Sequence, residues 1–309
     1  MVFQGNWNWN DLSSVMPIAE IKRYPDLPWD KEGLSKNPAL TLDDVKSLEI
    51  NNDEEWDWYA LSSRIPLSVV KKNLDLPWVK DGLSENPTLT VDDIFKLNFL
   101  KGDWNWFLIS ANIAMKEVRN NPTLAWNRSG LSRNPNLTLD DIESIPAVDG
   151  RWLLNTLAVN ISMDEVRENP YIPWYREGLS YNRGITLNDI DGILNIVGKW
   201  DWIGLSEKIP LDEVRKNPTL PWNKTGLSQN PTLTLDDVLH LRIKDGQWDW
   251  NKISSILPII DVYTHPNLTW NRDGLSMNKD IRVGDLIAWQ ELPPSIYKRW
   301  QYPTDVVIV

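Results

Sequence analysis

The chain has 309 residues, of which 41% are hydrophobic and 24% are charged, proportions typical of a folded soluble protein rather than a disordered one. Its formal net charge of −11 disfavours general nucleic-acid binding, because phosphate groups would be repelled unless a local basic stripe offset the charge. The chain contains no cysteine, which excludes disulfides, thiolate metal sites and cysteine nucleophiles.

The start of the chain does not look like a targeting segment. It is polar and contains Trp7 and Trp9, without a cationic stretch followed by an apolar one, so no signal peptide is expected. No stretch approaches the roughly 20 apolar residues that span a bilayer. We therefore expect an intracellular protein that is not secreted and does not contact a membrane.

Two series of tryptophans repeat along the chain at intervals of 49, 48, 48, 48 and 48 residues. The first series consists of Trp7, Trp56, Trp104, Trp152, Trp200 and Trp248. The second series consists of Trp29, Trp78, Trp126, Trp174, Trp222 and Trp270. Leu-Ser follows most of these tryptophans by five residues, so the basic module is a half-repeat of about 24 residues that occurs twelve times. We assign both tryptophan series to the structural core.

The period divides the chain into six repeats without an internal domain boundary. The helical array covers residues 1–288, with repeats at approximately 1–53, 54–101, 102–149, 150–197, 198–245 and 246–288. Residues 289–309 break the pattern and are expected to form a C-terminal cap or tail, since terminal repeats generally need one.

Each half-repeat predicts two short helices, and the helix starts recur in chain order. In the first half-repeats, proline occupies the start position, which the first turn of a helix accepts: Pro17, Pro66, Pro210 and Pro258. In the second half-repeats, Asn-Pro ends one helix, because proline disfavours helical geometry in the residue before it. A threonine N-cap then begins the next helix, at Thr41, Thr90, Thr138, Thr186 and Thr234.

Such short helices are unstable alone, so each must bury its apolar stripe on a neighbour. The sequence therefore predicts an all-α fold, an α-solenoid of helix-turn-helix repeats in which distant repeats do not touch. With about 8–10 Å between packed helices, the array would extend on the order of 100 Å before curvature.

Little in the sequence points to catalysis. His240 and His265 are the only histidines and have no periodic partner, which is typical of ordinary surface residues. Aspartate pairs occur four times, always in the first turn of a helix, where negative charge is favourable: Asp43-Asp44, Asp92-Asp93, Asp140-Asp141 and Asp236-Asp237. No phosphate-binding loop, metal-spaced cluster or Ser/His/Asp set is present. We expect no enzymatic activity, no cofactor and no metal.

A further column of residues lies two positions after each tryptophan. In the first half-repeats it contains Trp9, Trp58, Trp106, Leu154, Trp202 and Trp250, and in the second Lys31, Lys80, Arg128, Arg176, Lys224 and Arg272. Consecutive modules of a solenoid are neighbours, so this column predicts a ladder of alternating aromatic and cationic side chains. Either the cations cover tryptophan faces as structural contacts, or the ladder binds an acidic peptide or single-stranded nucleic acid. Leu154 favours the structural alternative, because leucine preserves burial but cannot form a cation–π pair.

The strings Trp-Asp-Trp, Leu-Ser and Gly-Leu-Ser-x-Asn-Pro-x-Leu-Thr run through almost the whole chain. They resemble the tryptophan-rich repeat proteins of giant DNA viruses of amoebae. The resemblance implies a viral origin, a place in the host cytoplasm, the host nucleus or the virion, and no catalytic residues.

The expected function is a non-enzymatic scaffold for protein–protein interaction, with a virion component or a host factor as partner. The alternative is binding of nucleic acid or an acidic ligand along the ladder. We expect a monomer, or a weak homo-oligomer joined through the array ends. Specificity for a partner is expected in the loops that vary most among the repeats, which are residues 51–55, 101–103, 147–151, 197–199 and 244–247.

Overall fold

The computed structural model describes residues 3–50, 55–146, 149–193 and 197–292. Within these ranges every regular element is a helix, 24 in all, and isolated β-bridges join a few loop residues. The helices have four to seven residues, and none is long and apolar enough to cross a membrane. The predicted all-α solenoid of short helix pairs is confirmed.

Each repeat contains four helices. Repeat 1 has α1 (Trp9–Val15), α2 (Ile18–Arg23), α3 (Lys31–Lys36) and α4 (Leu42–Ser47); repeat 2 has α5 (Trp58–Arg64), α6 (Leu67–Val70), α7 (Lys80–Glu85) and α8 (Val91–Lys96). Repeat 3 has α9 (Trp106–Asn112), α10 (Met115–Asn120), α11 (Arg128–Leu131) and α12 (Leu139–Ser144); repeat 4 has α13 (Leu154–Asn160), α14 (Met163–Glu168), α15 (Arg176–Leu179) and α16 (Leu187–Gly192). Repeat 5 has α17 (Trp202–Lys208), α18 (Leu211–Lys216), α19 (Lys224–Leu227) and α20 (Leu235–His240); repeat 6 has α21 (Trp250–Ile256), α22 (Ile259–Thr264), α23 (Arg272–Ser276) and α24 (Val283–Ala288).

The chain divides into two compact parts. The terminal part contains Met1–Asp57 and Trp250–Val309, and the central part contains Trp58–Asp249. In both parts, the first helix of a repeat packs on the third helix of the same repeat, as α9 does on α11. A Cβ atom added to Gly130 of α11 would lie 2.3 Å from the carbonyl oxygen of Phe107, so this close approach requires glycine.

The predicted helix starts are confirmed. Thr138 is the N-cap of α12 and forms a capping box, in which its hydroxyl accepts from the Asp141 N–H and Asp141 Oδ2 accepts from the Thr138 N–H at 3.0 Å. The same box occurs at Thr41, Thr90, Thr186 and Thr234. The four predicted prolines occupy the N-cap position itself, with φ near −57°.

The two tryptophan series differ in burial. Five rings of the second series are among the largest fully buried side chains, and Trp174 is 2% exposed. Each indole N–H of this series donates to the carbonyl five residues earlier, as Trp126 does to Asn121 at 2.7 Å. The first series is only half-buried, so its assignment to the core is wrong: Trp7, Trp56, Trp104, Trp152, Trp200 and Trp248.

The two series also differ in the side chains that lie beside the rings. Both series lie just before the N-cap of a helix, but the ring of Trp126 is covered edge-on by Trp106, with the ring centres 5.4 Å apart. The ring of Trp104 instead faces the ammonium of Lys80, which lies 6.0 Å from the ring centre. The covering indole is not required for burial, because Trp174 is 2% exposed although Leu154 occupies the position of Trp106 in repeat 4.

Buried polar side chains join successive half-repeats. The hydroxyl of Ser110 accepts from the backbone N–H of Asn127 at 2.9 Å, and the hydroxyl of Ser132 accepts from that of Leu153 at 3.0 Å. The buried amide of Asn134 donates to the carbonyls of Ser110 and Ile113, at 3.1 and 2.9 Å. The Leu-Ser and Asn-Pro motifs therefore supply the hydrogen bonds between modules.

The first and last repeats are in contact within the terminal part. Helix α1 packs on α23, and the backbone N–H of Asn8 donates to the hydroxyl of Ser276 at 3.0 Å, as Leu153 does to Ser132. Gln4 and Asn271 form the same parallel bridge that joins Asn127 and Asp149. The expectation that distant repeats do not touch is wrong, because every half-repeat presents the same donors and acceptors, including those at the two ends.

The beginning of the predicted C-terminal cap takes part in this contact. Trp289 lies against Trp7 with ring centres 6.3 Å apart and planes inclined by 11°. Glu291 accepts from the Trp7 indole at 3.1 Å and pairs with Arg272 at 2.8 Å. Residues 293–309 of the predicted cap or tail lie outside the described residues.

Replacement of Asn134 by Ala should lower the free energy of unfolding by about 2–4 kcal/mol, because two buried carbonyls lose their donor. Asn136 is the matched control, since it is an exposed asparagine two residues further on. Asn136→Ala should change the stability by no more than about 0.5 kcal/mol. Urea unfolding followed by circular dichroism measures both, and equal effects would contradict the proposed role of the buried amide.

Arg272→Ala should loosen the contact between the first and last repeats, because Arg272 also donates to the carbonyls of Phe3 and Gly5. Amide hydrogen exchange in residues 3–16 should become about 5–30-fold faster, as expected for the loss of two or three hydrogen bonds. Arg128→Ala, at the equivalent place in repeat 3, should leave that segment unchanged, because stability in repeat proteins is largely local. Unchanged exchange in both variants would show that Arg272 does not hold this contact.

Candidate binding groove

The aromatic half of the predicted ladder packs on the core. In the central part, the half-buried rings of Trp58, Trp106 and Trp202 contact the second-series tryptophans of their own repeats edge-on, at 5.2–5.4 Å between ring centres. In the terminal part, Trp9 and Trp250 do the same at 5.4 and 5.5 Å. At the corresponding position of repeat 4, Leu154 is 42% exposed.

The cationic half contacts different tryptophans. Lys80 is 6% exposed and donates to the carbonyl of Asn98 at 2.7 Å. Arg176 lies 5.8 Å from the ring centre of Trp200 and donates to the carbonyl of Gly198 at 3.0 Å. These cations therefore pair with first-series rings and with the loop before the next repeat. The predicted ladder, in which they would alternate with the aromatic side chains of the same column, is wrong.

The other four cations of the column occupy the positions in their repeats that Lys80 and Arg176 occupy in theirs. Arg272 pairs with Glu291 in the terminal part. Lys31, Arg128 and Lys224 are the first residues of α3, α11 and α19 and are half-buried. None of the six is fully exposed, which supports the structural interpretation of the column.

The aspartate pairs contain one exposed and one buried member. In repeat 3, Asp140 is exposed, whereas Asp141 is buried and accepts two hydrogen bonds from Arg119 at 2.7 Å. Burial alone would raise the pKa of Asp141, but the hydrogen bonds from Arg119 and Thr138 outweigh it and hold the pKa below its usual value. The carboxylate thus joins the second helix of the repeat to the fourth.

This ion pair recurs with a spacing of 22 residues, as Lys22–Asp44, Lys71–Asp93, Arg119–Asp141, Arg167–Asp189 and Arg215–Asp237. Sequence reasoning found the aspartates but missed their partners, although the regular spacing of the cations was a readable signal. In repeat 4, Asn188 stands where repeats 1, 2, 3 and 5 have the exposed aspartate, yet Asp189 still forms the ion pair. The ion pair therefore depends only on the buried aspartate.

Asp141→Asn should lower the stability at neutral pH by about 1–3 kcal/mol, because a charged hydrogen-bond acceptor is lost. A carboxylate with a depressed pKa stabilises the fold fully above its unfolded pKa of about 3.9, and this stabilisation is lost as the pH falls through the folded pKa. The difference between the wild type and the variant should therefore be largest above about pH 4 and should narrow in acid. Urea midpoints measured across this range test the prediction. Asp140→Asn, at the exposed neighbour, should show no such narrowing.

The histidines have the surface positions expected of them. His240 is exposed and pairs with Asp236 at 2.8 Å, and His265 is also exposed. No cluster of three or more histidine, aspartate and glutamate residues suited to a metal ion occurs in the part of the chain that the structure describes.

The central part carries a groove of about 500 Å³ beside Trp200 and Trp202. Its remaining walls come from the start of α15, the loop before repeat 5, the start of α17, the start of α19 and the loop before repeat 6. They contain Glu177, Lys199, Asp201, Ile203, Pro221, Asn223 and Asp245. Three carboxylates thus face the groove, against the single ammonium of Lys199.

Hydrogen bonds fix two of these carboxylates. Asp201 caps α17 by accepting from the backbone N–H of Ile203 at 2.9 Å, and it accepts from the Tyr181 hydroxyl at 2.8 Å. Burial and the hydrogen bond to Asp201 raise the pKa of Tyr181 to about 12, because both favour the protonated hydroxyl that donates to the carboxylate. Glu177 accepts from the backbone N–H of Lys199 at 3.3 Å.

A second groove, of about 440 Å³, lies in the terminal part and is lined by Asp30, Glu32, Glu55 and Asp57. Glu32 corresponds to Glu177, since each is the second residue of the third helix in its repeat, and Asp57 corresponds to Asp201. Lys36 pairs with Glu32 at 2.6 Å.

Sequence reasoning did not select these acidic positions. A signal was present, because a carboxylate follows the first-series tryptophan at Asp57, Asp201 and Asp249. The variable loops expected to contact a partner contribute Glu55, Lys199 and Asp245 to the two grooves, and their role in binding stays a prediction.

Comparison with known proteins identifies no relative. No protein-family model, no curated protein and no solved structure matches the chain. The resemblance to viral tryptophan-rich repeats therefore stays a prediction that rests on the motifs themselves.

Proposed function

We propose that the protein is a non-enzymatic repeat scaffold that binds a protein partner at the loops between its repeats. The observation that supports this most directly is the groove beside Trp200 and Trp202, which combines half-buried indole rings with carboxylates held by hydrogen bonds. Aromatic side chains of this kind are enriched where proteins bind other proteins. The short helices, in contrast, bury their apolar faces on one another.

Nucleic acid is the less favoured ligand. Lys80 and Arg176 are engaged with backbone carbonyls and indole rings, so they are poorly placed to neutralise phosphates. The carboxylates of the groove add local repulsion to that of a chain with a net charge of −11. The rings of Trp58 and Trp106 pack edge-on against core tryptophans and do not form open platforms for bases.

The setting proposed for this function is viral and intracellular, in the virion or on a host factor, and it rests on the motif resemblance. Assembly of several copies through the array ends is not favoured, because Asn8 and Ser276 already bind each other in one chain. We propose a monomer that meets its partner through the loops.

Immobilised protein incubated with a lysate of infected amoebae should retain protein partners that survive nuclease treatment. Chemical cross-linking with mass spectrometry should place the partner on residues 197–203 and 244–249, because the proposed surface lies there. The matched control is the variant with Lys80 and Arg128 both changed to Gln, because neither residue lies beside the groove. This variant should lose stability but keep the partner.

Three results would count against this function. Capture that disappears with nuclease would favour nucleic-acid binding, as would loss of capture in the Lys80 and Arg128 variant while it remains folded. Cross-links confined to other loops or to helix faces would contradict the proposed surface.

A further inference from the structure

We propose that the groove beside Trp200 and Trp202 binds a lysine- or arginine-rich segment of the partner protein. This inference rests on the proposed function and adds the chemistry of the partner. Charge complementarity carries it: Glu177, Asp201 and Asp245 line the groove against one ammonium, so the groove keeps an excess of negative charge. A cationic segment would relieve the repulsion among these carboxylates.

The indole rings add a second reason. Trp200 already holds a cation of its own chain, since the guanidinium of Arg176 lies 5.8 Å from its ring centre. The ring is half-buried and borders the groove, so it offers further π surface to an ammonium or guanidinium from outside. Ile203, 41% exposed, and Pro221 supply apolar surface for the methylene stem of a long cationic side chain.

Other ligand classes fit the same groove less well. An apolar ligand would bury the carboxylates without a partner, which costs free energy. A phosphate chain would meet three like charges. The groove is open to solvent, which suits a segment of a partner protein better than a small molecule that needs to be enclosed.

The second groove provides an independent example of the same arrangement. It lies in the terminal part, at the equivalent place in the repeat, and its lining consists of the carboxylates Asp30, Glu32, Glu55 and Asp57. At the position where Lys199 lies in the first groove, it has Glu55. Two equivalent places in the array thus combine an acidic lining from the start of a third helix with the loop before the next repeat, as expected if the partner is basic at more than one point.

A short fluorescein-labelled peptide of alternating lysine and serine serves as the probe, and fluorescence anisotropy measures its affinity. The double variant Glu177→Gln with Asp245→Asn removes two exposed carboxylates, and glutamine keeps an acceptor for the Lys199 N–H. It should bind the peptide roughly five- to tenfold more weakly. Trp200→Leu should weaken binding about threefold, because it removes the π face but keeps an apolar side chain.

The matched control is Asp140→Asn with Glu143→Gln, which makes the same change in net charge at two exposed positions outside the groove. It should weaken binding by less than about twofold, because only the long-range field changes. Carbodiimide cross-linking should join peptide lysines to Glu177 or Asp245, and mass spectrometry identifies the joined carboxylates. Urea midpoints close to that of the wild type confirm that the variants are folded.

The inference is overturned if the control variant weakens binding as much as the groove variant, since the peptide would then respond to net charge alone. Cross-links found only at other carboxylates also overturn it, as does tighter binding of a single-stranded oligonucleotide than of the peptide. The capture experiment uses no peptide. A peptide that fails to bind a chain that still captures proteins therefore overturns this inference and leaves the proposed function standing.

Discussion

The hydrogen bond between a backbone N–H and a buried serine hydroxyl is the contact on which the array depends. It occurs at eleven joints between half-repeats in the described chain. At the twelfth equivalent position, Ala158 has no hydroxyl to offer. Helices of four to seven residues leave most of their end groups without partners in the same helix, so these groups must be satisfied from outside. The serine hydroxyl meets this need at the start of one helix, and the neighbouring asparagine amide meets it at the end of another.

Much of the fold could be predicted because the signals are local. Thr138 and Asp141 lie three residues apart, so the capping box follows from the sequence alone. The half-repeat length could be counted directly from the tryptophans. What escaped prediction depends on neighbours in space. Trp104 and Trp126 occupy equivalent positions in their half-repeats, yet Trp126 is buried and Trp104 is half-buried, a difference that no local motif encodes.

The candidate groove escaped prediction for a related reason. Its carboxylates come from three half-repeats, and only Asp201 belongs to a recurring motif, the Trp-Asp-Trp string. The positions involved vary among the repeats: where repeat 5 has Asp201, repeat 3 has Asn105 and repeat 4 has Leu153. Each of these residues has its backbone N–H bonded to a serine of the preceding half-repeat. The preceding half-repeat thus fixes the backbone at this position. The side chain can vary from repeat to repeat and so change the chemistry of the surface.

The contact between the first and last repeats has a consequence for how such a chain can evolve. A repeat array with free ends can gain or lose a repeat by duplication or deletion, because each repeat needs only its neighbours. Here Asn8 must meet Ser276, and Trp7 must meet Trp289. A copy added at either end of the chain would have to displace those pairs. Point substitution in the loops carries no such penalty, so this protein should diversify more readily by changes of side chain than by gain of terminal repeats.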